Sequence, residues 1–326
     1  MRTGKISVIT SLYRSEAHLP AYRARVLDVA GQVKAAGLAL EVVLVANDPT
    51  DGERDHLRHL AGSVDGIGTV IPLEVPRENL YASWNRGIAS SSGLCLAIWN
   101  VDDARYADAL IEGYRLIADG CEIVDFPFTA VREIRWLGLF NMQHQRRLPP
   151  QYDPVNFRRK TRTGPFFMFS RAVYDRVGPF DGHFRIAGDF DWCARPAARA
   201  AKFCAGQSLA GTFFLRGTNL SGSGSPFEDV EDNIVLLRQG RWDELVPADP
   251  DLLEACWSEW GSLGAREISP DLQDRLWGAG ACDRWQAWLR ARRRKEIARR
   301  VRYLPRQIVN RSGLRPVLAR LGVVKR

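Results

Sequence analysis

At 326 residues, 45% of them apolar, the chain is long enough for one large domain with appendages, or two small domains, and apolar enough to bury a sizeable core. No stretch approaches the roughly 18 to 20 apolar residues of a membrane span, and the opening MRTGKISVIT runs into strand-like sequence with no apolar leader, which predicts a cytoplasmic protein. The net charge of +8 is unevenly spread: Arg284 to Arg326 holds 15 Lys or Arg against one acid, Glu296, leaving 31 bases and 37 acids elsewhere. A mildly acidic body with a strongly basic end points to an anionic surface, nucleic acid or phospholipid headgroups, as the partner of that end.

In chain order, KISVITSLYR reads as a buried strand that stops in polar residues. LPAYRARVLDVAGQVKAAG has helical spacing of Leu, Tyr and Val closed by Gly37. LALEVVLVANDPTDG is a second strand ended by the turn formers Asn47, Asp48, Pro49 and Gly52, after which a helix can open. GTVIPLEV is a third strand, YASWNRGIASSSG a short helix ended by Gly93, and LCLAIWN a fourth strand. YADALIEGYRLIADG and CEIVDFPF continue the alternation, which predicts an α/β, doubly wound, mostly parallel sheet flanked by helices. VREIRWLGLFNMQHQRRLPPQYDPVNFRRKTRT mixes aromatics, Pro and Arg and receives no assignment. GPFFMFSRAVYDRVGPFDGHFRIAGDFDWCARPA then reads as strand, helix, Gly-Pro turn and a short acidic segment. AKFCAGQSLAGTFFLRGTNLSGSGS reads as a strand pair entering a Gly/Ser loop, with helical segments beyond it. The six cysteines (Cys95, Cys121, Cys193, Cys204, Cys256, Cys282) show no CxxC pair, so free core thiols are expected rather than zinc.

Ligands of such sheets collect outside the carboxyl ends of the strands. Ser11 and Tyr13 follow the first strand, Asp48 the second, and Asp102 and Asp103 the fourth, so separate segments bring polar groups to one rim. Two adjacent carboxylates repel unless protonated, solvated or bridged by a cation. Two readings stand side by side: Asp102 and Asp103 open the next helix as capping residues, or they hold a divalent cation whose remaining ligands are nucleotide phosphates.

The blocks ISVITSLYR, EVVLVANDPTDG, NLYASWNRGIASSSGLCLAIWNVDD and GPFFMFSRAVYDRVGPFDGHFRIAGDFDWCAR, in that order, resemble the family 2 glycosyltransferases of the GT-A fold over about the first 220 residues. The resemblance implies an inverting, metal-dependent transfer of sugar from a nucleotide-diphosphate sugar, a UDP-sugar first among them, to a hydroxyl of a glycan or lipid-linked acceptor. It further implies that Ser11 and Tyr13 frame the nucleobase, Asp48 bonds a uracil-type ring, Asn85 belongs to the donor site, Asp102 contacts ribose, and Asp102 and Asp103 form the Mn²⁺ or Mg²⁺ motif. Asp189 is then the general base, with Asp191 as its competitor. Departures from the family pattern are Arg14 where Asn is common, Asn47 and Pro49 around Asp48, Asn100 where a further Asp often stands, and Gly188 where Glu often precedes the base.

The expected domains are residues 1–235 as the catalytic unit, 236–283 as a helical accessory segment, and 284–326 as a basic amphipathic tail. In that tail Trp285, Trp288, Leu289, Ile297, Val301 and Leu304 fall at helical spacing among arginines, as in a helix lying on a membrane. An arginine-rich solvated helix packed on the body is the alternative. Nucleic acid is not expected as a partner, because no basic stripe accompanies the tail in the body. A membrane address would suit a role in surface polysaccharide synthesis on the cytoplasmic face of the inner membrane. The rival functions are a sugar-nucleotide-forming nucleotidyltransferase, for which the Gly-rich basic loop is missing near the N-terminus, and an inactive glycan- or membrane-binding protein of the same fold.

Overall fold

The computed structural model describes residues 4–136, 140–215, 226–246, 248, 250–261 and 269. Its first half alternates strictly: β1 (Lys5–Leu12), α1 (Leu19–Ala35), β2 (Ala39–Asn47), α2 (Asp51–Ser63), β3 (Thr69–Val75), α3 (Leu80–Ala89) and β4 (Cys95–Ile98). There follow β5 (Ala104–Arg105), α4 (Ala107–Ala118), β6 (Ile123–Asp125), β7 (Phe128–Trp136), β8 (Phe140–Leu148), β9 (Met168–Ser170), α5 (Arg171–Val177), α6 (Gly188–Ala194) and α7 (Pro196–Arg199). The described elements end with β10 (Phe203–Ala205), β11 (Gly211–Leu215), α8 (Pro226–Arg238) and α9 (Pro250–Trp260).

Seven strands form the central sheet in the order β10-β6-β9-β4-β1-β2-β3. β3, β2, β1 and β4 are mutually parallel, while β9 runs antiparallel between β4 and β6. The mostly parallel, helix-flanked sheet expected from the alternation is thus present. Period-two alternation feeds two apolar layers: Val8, Val42, Leu44 and Ala97 pack with α1 on one face, and Ile9, Leu96 and Ile98 pack with Tyr81, Trp84 and Phe169 on the other. Because β1 is central, its polar side chains need partners. Ser7 Oγ donates to Glu41 at 2.6 Å, and Thr10 Oγ1 donates to the Trp99 carbonyl at 2.7 Å.

A second sheet, in the order β5-β11-β7-β8, lies beside the acidic pair, since β5 starts directly after Asp103. The stretch left unassigned by its sequence supplies the β7–β8 hairpin, registered from Phe128↔Leu148 to Trp136↔Phe140. Gln143 to Arg147 of β8 are exposed, so the strand shows no apolar alternation to read. The expected pairing of the strands in AKFCAGQSLAGTFFLRG is corrected: β10 pairs with β6 in the first sheet, whereas β11 pairs with β7 and β5 in the second.

The expectation of free thiols also needs correction. Cys121 and Cys204 form a disulfide, with Cα atoms 6.0 Å apart at a sequence separation of 83, because β10 lies against β6. Cys95, Cys193 and Cys256 are buried free thiols, and Cys282 lies outside the described residues. Val230, Ile234 and Val235 of α8 share one apolar cluster with Phe190 of α6 and with Leu252 and Cys256 of α9. α8 therefore crosses residue 235 without a break in the core. Most of the Gly/Ser loop, most of the segment after residue 261 and the whole basic tail lie outside the described residues.

Candidate active site

The tips of β1 and β2 leave their strands sharply. Arg14 (φ 50°) and Asp48 (φ 44°) both adopt left-handed backbone, a conformation that non-glycine residues seldom take, and their side chains pair at 2.8 Å. Buried Asn47 fixes these tips, donating to Ser11 Oγ at 3.2 Å and Ser83 Oγ at 3.0 Å and accepting from the Glu78 amide at 3.1 Å. Tyr13 is 41% exposed, with the Arg77 guanidinium 4.4 Å from its ring centroid.

Beyond these tips opens a cleft of about 420 Å³ whose lining includes Ser11, Tyr13, Asn100, Asp102, Arg185 and Asp189. A neighbouring chamber of about 570 Å³ shares Ser11, Tyr13 and Arg185 and adds Asn47 and Arg77. Of the rim residues expected from the strand ends, Ser11, Tyr13 and Asp102 line this cleft, among apolar neighbours such as Leu80, Trp84 and Phe167.

The two adjacent carboxylates part company. Asp102 lines the cleft, whereas Asp103 is fully buried, its Oδ1 accepting from the Phe214 amide at 3.0 Å and its Oδ2 from Asn100 Nδ2 at 3.1 Å. Asp103 thereby ties β11 to the end of β4, and its carbonyl accepts from Trp99 Nε1 and Arg25. Asn100 and Asp102, two residues apart, are the pair that reaches the cleft. Among the described residues no group of three or more His, Cys, Asp or Glu could hold a metal by itself. The oxygen donors present fit a hard divalent cation that takes most of its ligands from phosphates, as Mg²⁺ and Mn²⁺ do.

Asp189 sits in the first turn of α6, a few residues after the Gly178–Asp181 turn. Tyr81 Oη donates to its Oδ1 at 3.2 Å and the Phe190 amide donates to the same oxygen at 2.9 Å. Among the described residues both bonds fall on Oδ1, so Oδ2 keeps its acceptor capacity. Burial pushes the Asp189 carboxyl above its ordinary range, opposed by the nearby Arg162 charge. Asp191, the competitor, is buried and held by Arg195 at 2.9 Å and Arg238 at 2.7 Å, so it does not reach the cleft. Asn85 is also committed elsewhere: its Oδ1 accepts from Tyr174 Oη and the Phe180 amide, both at 2.9 Å, and its Nδ2 donates to the Phe180 carbonyl at 2.8 Å. Asp48 is exposed beside the cleft, in contact with it through Arg14.

Several participants had no signal in the sequence reading. Arg185 lies in HFRIAGDFD, where proximity to Asp189 was the available hint; burial lowers its pKa, with Glu231 opposing and Arg77 reinforcing the shift. Tyr81, kept protonated by burial, links α3 to Asp189 and to the Ile186 carbonyl at 2.6 Å. Trp84 gives the cleft an aromatic wall, and its buried indole N–H has no acceptor among the described residues.

Residues 7–178, just over half of the chain, match the sequence model of Glycosyl transferase family 2. The chain belongs to glycosyl transferase family 2. Among curated proteins, the family 2 chain is similar to glycosyltransferase AglE of Haloferax volcanii, 28% identical over 162 residues. That match covers 48% of this chain and 50% of AglE, so the chain spans about half the length of this relative. Among solved structures, S. aureus TarS 1-349 in complex with UDP-GlcNAc superposes with a TM-score of 0.55 at 15% identity, covering 86% of this chain and 81% of TarS. The mannosyltransferase PcManGT of Pyrobaculum calidifontis, in complex with GDP-Man and Mn²⁺, gives 0.50 at 15% identity, covering 89% and 75%. At these identities the structural matches establish a shared fold, the mixed sheet with flanking helices.

Proposed function

We propose that this family 2 member transfers a sugar, with inversion, from a nucleoside diphosphate sugar to a hydroxyl of a glycan or lipid-linked acceptor. The observation that carries the reading is the single cleft lined by Tyr13, Asp102 and Asp189, whose base candidate retains an open carboxylate oxygen. The donor's base lies against Tyr13 and its diphosphate near Asp102. Asp102 would hold a Mn²⁺ or Mg²⁺ ion together with the diphosphate, with Asp103 fixing the turn from behind; when bound, such an ion neutralises charge on the departing diphosphate. Asp189 accepts the acceptor's hydroxyl proton as the new C–O bond forms at the anomeric carbon and the bond to the diphosphate breaks. A carboxyl raised by burial is a better base for this purpose than a solvated one.

The relatives crystallised with UDP-GlcNAc and with GDP-Man and Mn²⁺ support the donor class and make UDP-sugars and GDP-sugars the first to try. The described residues hold no helix long and apolar enough to cross a membrane. Attachment to an anionic membrane through the basic tail, and a place in surface polysaccharide synthesis on the cytoplasmic side of the inner membrane, belong to this proposal and rest on the tail's sequence. The direct test is a thermal-shift and turnover screen of UDP-GlcNAc, GDP-mannose and related nucleotide sugars with Mn²⁺. A Mn²⁺-enhanced shift with release of UDP or GDP supports the reading, and a chain that responds to no nucleotide sugar with or without Mn²⁺ refutes it.

A further inference from the structure

Resting on the assignment of Asp189 as the base, we infer that Glu231 of α8 is a positioning residue that fixes the turn presenting Asp189 to the cleft. Glu231 is buried, and its carboxylate accepts three consecutive backbone amides immediately before α6: Arg185 at 2.9 Å on Oε1, and Ile186 and Ala187 at 2.8 Å each on Oε2. The same turn is held on its other side, where the Ile186 carbonyl accepts from Tyr81 Oη, which also bonds Asp189. The Ala187 carbonyl in turn accepts the Asp191 amide at 2.8 Å and so starts α6. One carboxylate thus sets the entry angle of α6, the side-chain origin of Arg185 and, through them, the site of Asp189.

An acceptor-only group suits three converging N–H donors, and the cost of burying it shows in its titration. Burial pushes the Glu231 carboxyl up to about 7, with Asp232 adding to the rise and the three amides opposing it. The charged or titratable groups that face it are Arg185 on the turn, Asp232 on α8 and Tyr81 on α3. A surface helix needs no such carboxylate, and an apolar side chain here would leave the three amides without acceptors.

The test is Glu231→Gln in the full chain, assayed at pH 8 with whichever of UDP-GlcNAc and GDP-mannose is turned over. Gln offers one acceptor oxygen and turns an NH₂ group toward an amide that needs an acceptor, so the turn shifts while the volume is kept. A base displaced by about an ångström lowers kcat by about 10²-fold, whereas the Mn²⁺ enhancement of UDP or GDP affinity, which rests on Asp102, is expected to stay within about threefold, and donor KM is expected to rise by less than kcat falls, through Arg185, which shares the turn and lines the cleft beside Tyr13. In an Asp189→Asn background the added loss should shrink to near unity, because the two act as one unit. Unchanged kcat, or a loss that multiplies fully with that of Asp189→Asn, overturns the inference. Turnover lost in Asp189→Asn but kept in Glu231→Gln overturns this inference alone; turnover kept in Asp189→Asn removes the base assignment and this inference with it. If Glu231→Gln does not fold, hydrogen exchange on the unaltered protein decides: amides 185–187 protected as strongly as the α8 backbone support the role, and amides exchanging like an open loop contradict it.

Discussion

The wall of the cleft carrying Ser11, Tyr13 and Asp102 is built from neighbouring parallel strands, whereas the wall carrying Asp189 is held by charged side chains of α8, a helix that comes much later in the chain. In the first, register does the positioning: Ser11 pairs with Val45 and Ile9 with Ile98, so the ends of β1, β2 and β4 come level through backbone hydrogen bonds. In the second, Glu231 binds the turn, Arg238 reaches Asp191 at 2.7 Å and Asp181 at 3.0 Å, and Asp232 accepts from Arg159 and Arg162. Strand ladders tolerate side-chain change. Buried ion pairs do not, because losing one partner leaves a desolvated charge behind.

The contrast breaks most sharply at the chemistry. Asp189→Asn keeps the shape of the base wall and removes its proton acceptor, so turnover should fall about 10²- to 10⁴-fold while UDP or GDP affinity, set by the strand wall, stays unchanged; steady-state kinetics beside nucleotide titration checks both halves. Arg238→Met probes the wall's support rather than its function. Asp191 keeps its Arg195 partner and half-buried Asp181 its His183 bonds, so we expect a loss of about 1–3 kcal/mol in urea unfolding, and a loss below about 0.5 kcal/mol would show that the α8 contacts are dispensable.

A comparable effect is expected from proton linkage. Glu231 titrates near 7 in the folded chain against an ordinary value of 4.5, so the native state binds its proton more tightly than the unfolded chain does. Its contribution to stability is complete below about pH 4.5 and is lost as pH rises through about 7. Wild type should therefore gain on Glu231→Gln by about 2–3 kcal/mol between pH 7.5 and pH 5 in paired unfolding experiments. A difference that stays flat over that interval would place the carboxyl in a solvated setting.

The same contrast explains what the sequence could and could not reveal. KISVITSL, ALEVVLVAN and LCLAI carry their fold in apolar runs with turn formers behind them, so the sheet, its direction and the rim at its carboxyl edge were readable. The split between Asp102 and Asp103 was not, because adjacent acids look alike until the Phe214 amide claims one of them. Asn85, read as a donor-site residue, is spent on the Phe180 backbone, a partner 95 residues away. The region beyond the Gly/Ser loop reads only as helical, and nothing in its sequence marks Glu231 and Asp232 as buried, since their partners are brought in from distant loops. The β7–β8 hairpin hid for a related reason: an edge strand exposed over Gln143 to Arg147 has no apolar alternation.

On this reading, Asp102 meets a nucleotide's diphosphate in the cleft with help from a divalent ion. Calorimetric titration of UDP and GDP into wild type and Asp102→Ala, each with and without Mn²⁺, tests it most directly. Mn²⁺ is expected to tighten nucleotide binding to wild type at least about tenfold, or about 1.4 kcal/mol, and Asp102→Ala to abolish this enhancement while remaining folded. Equal Mn²⁺ enhancement in both proteins, or no nucleotide binding to wild type at all, would contradict it.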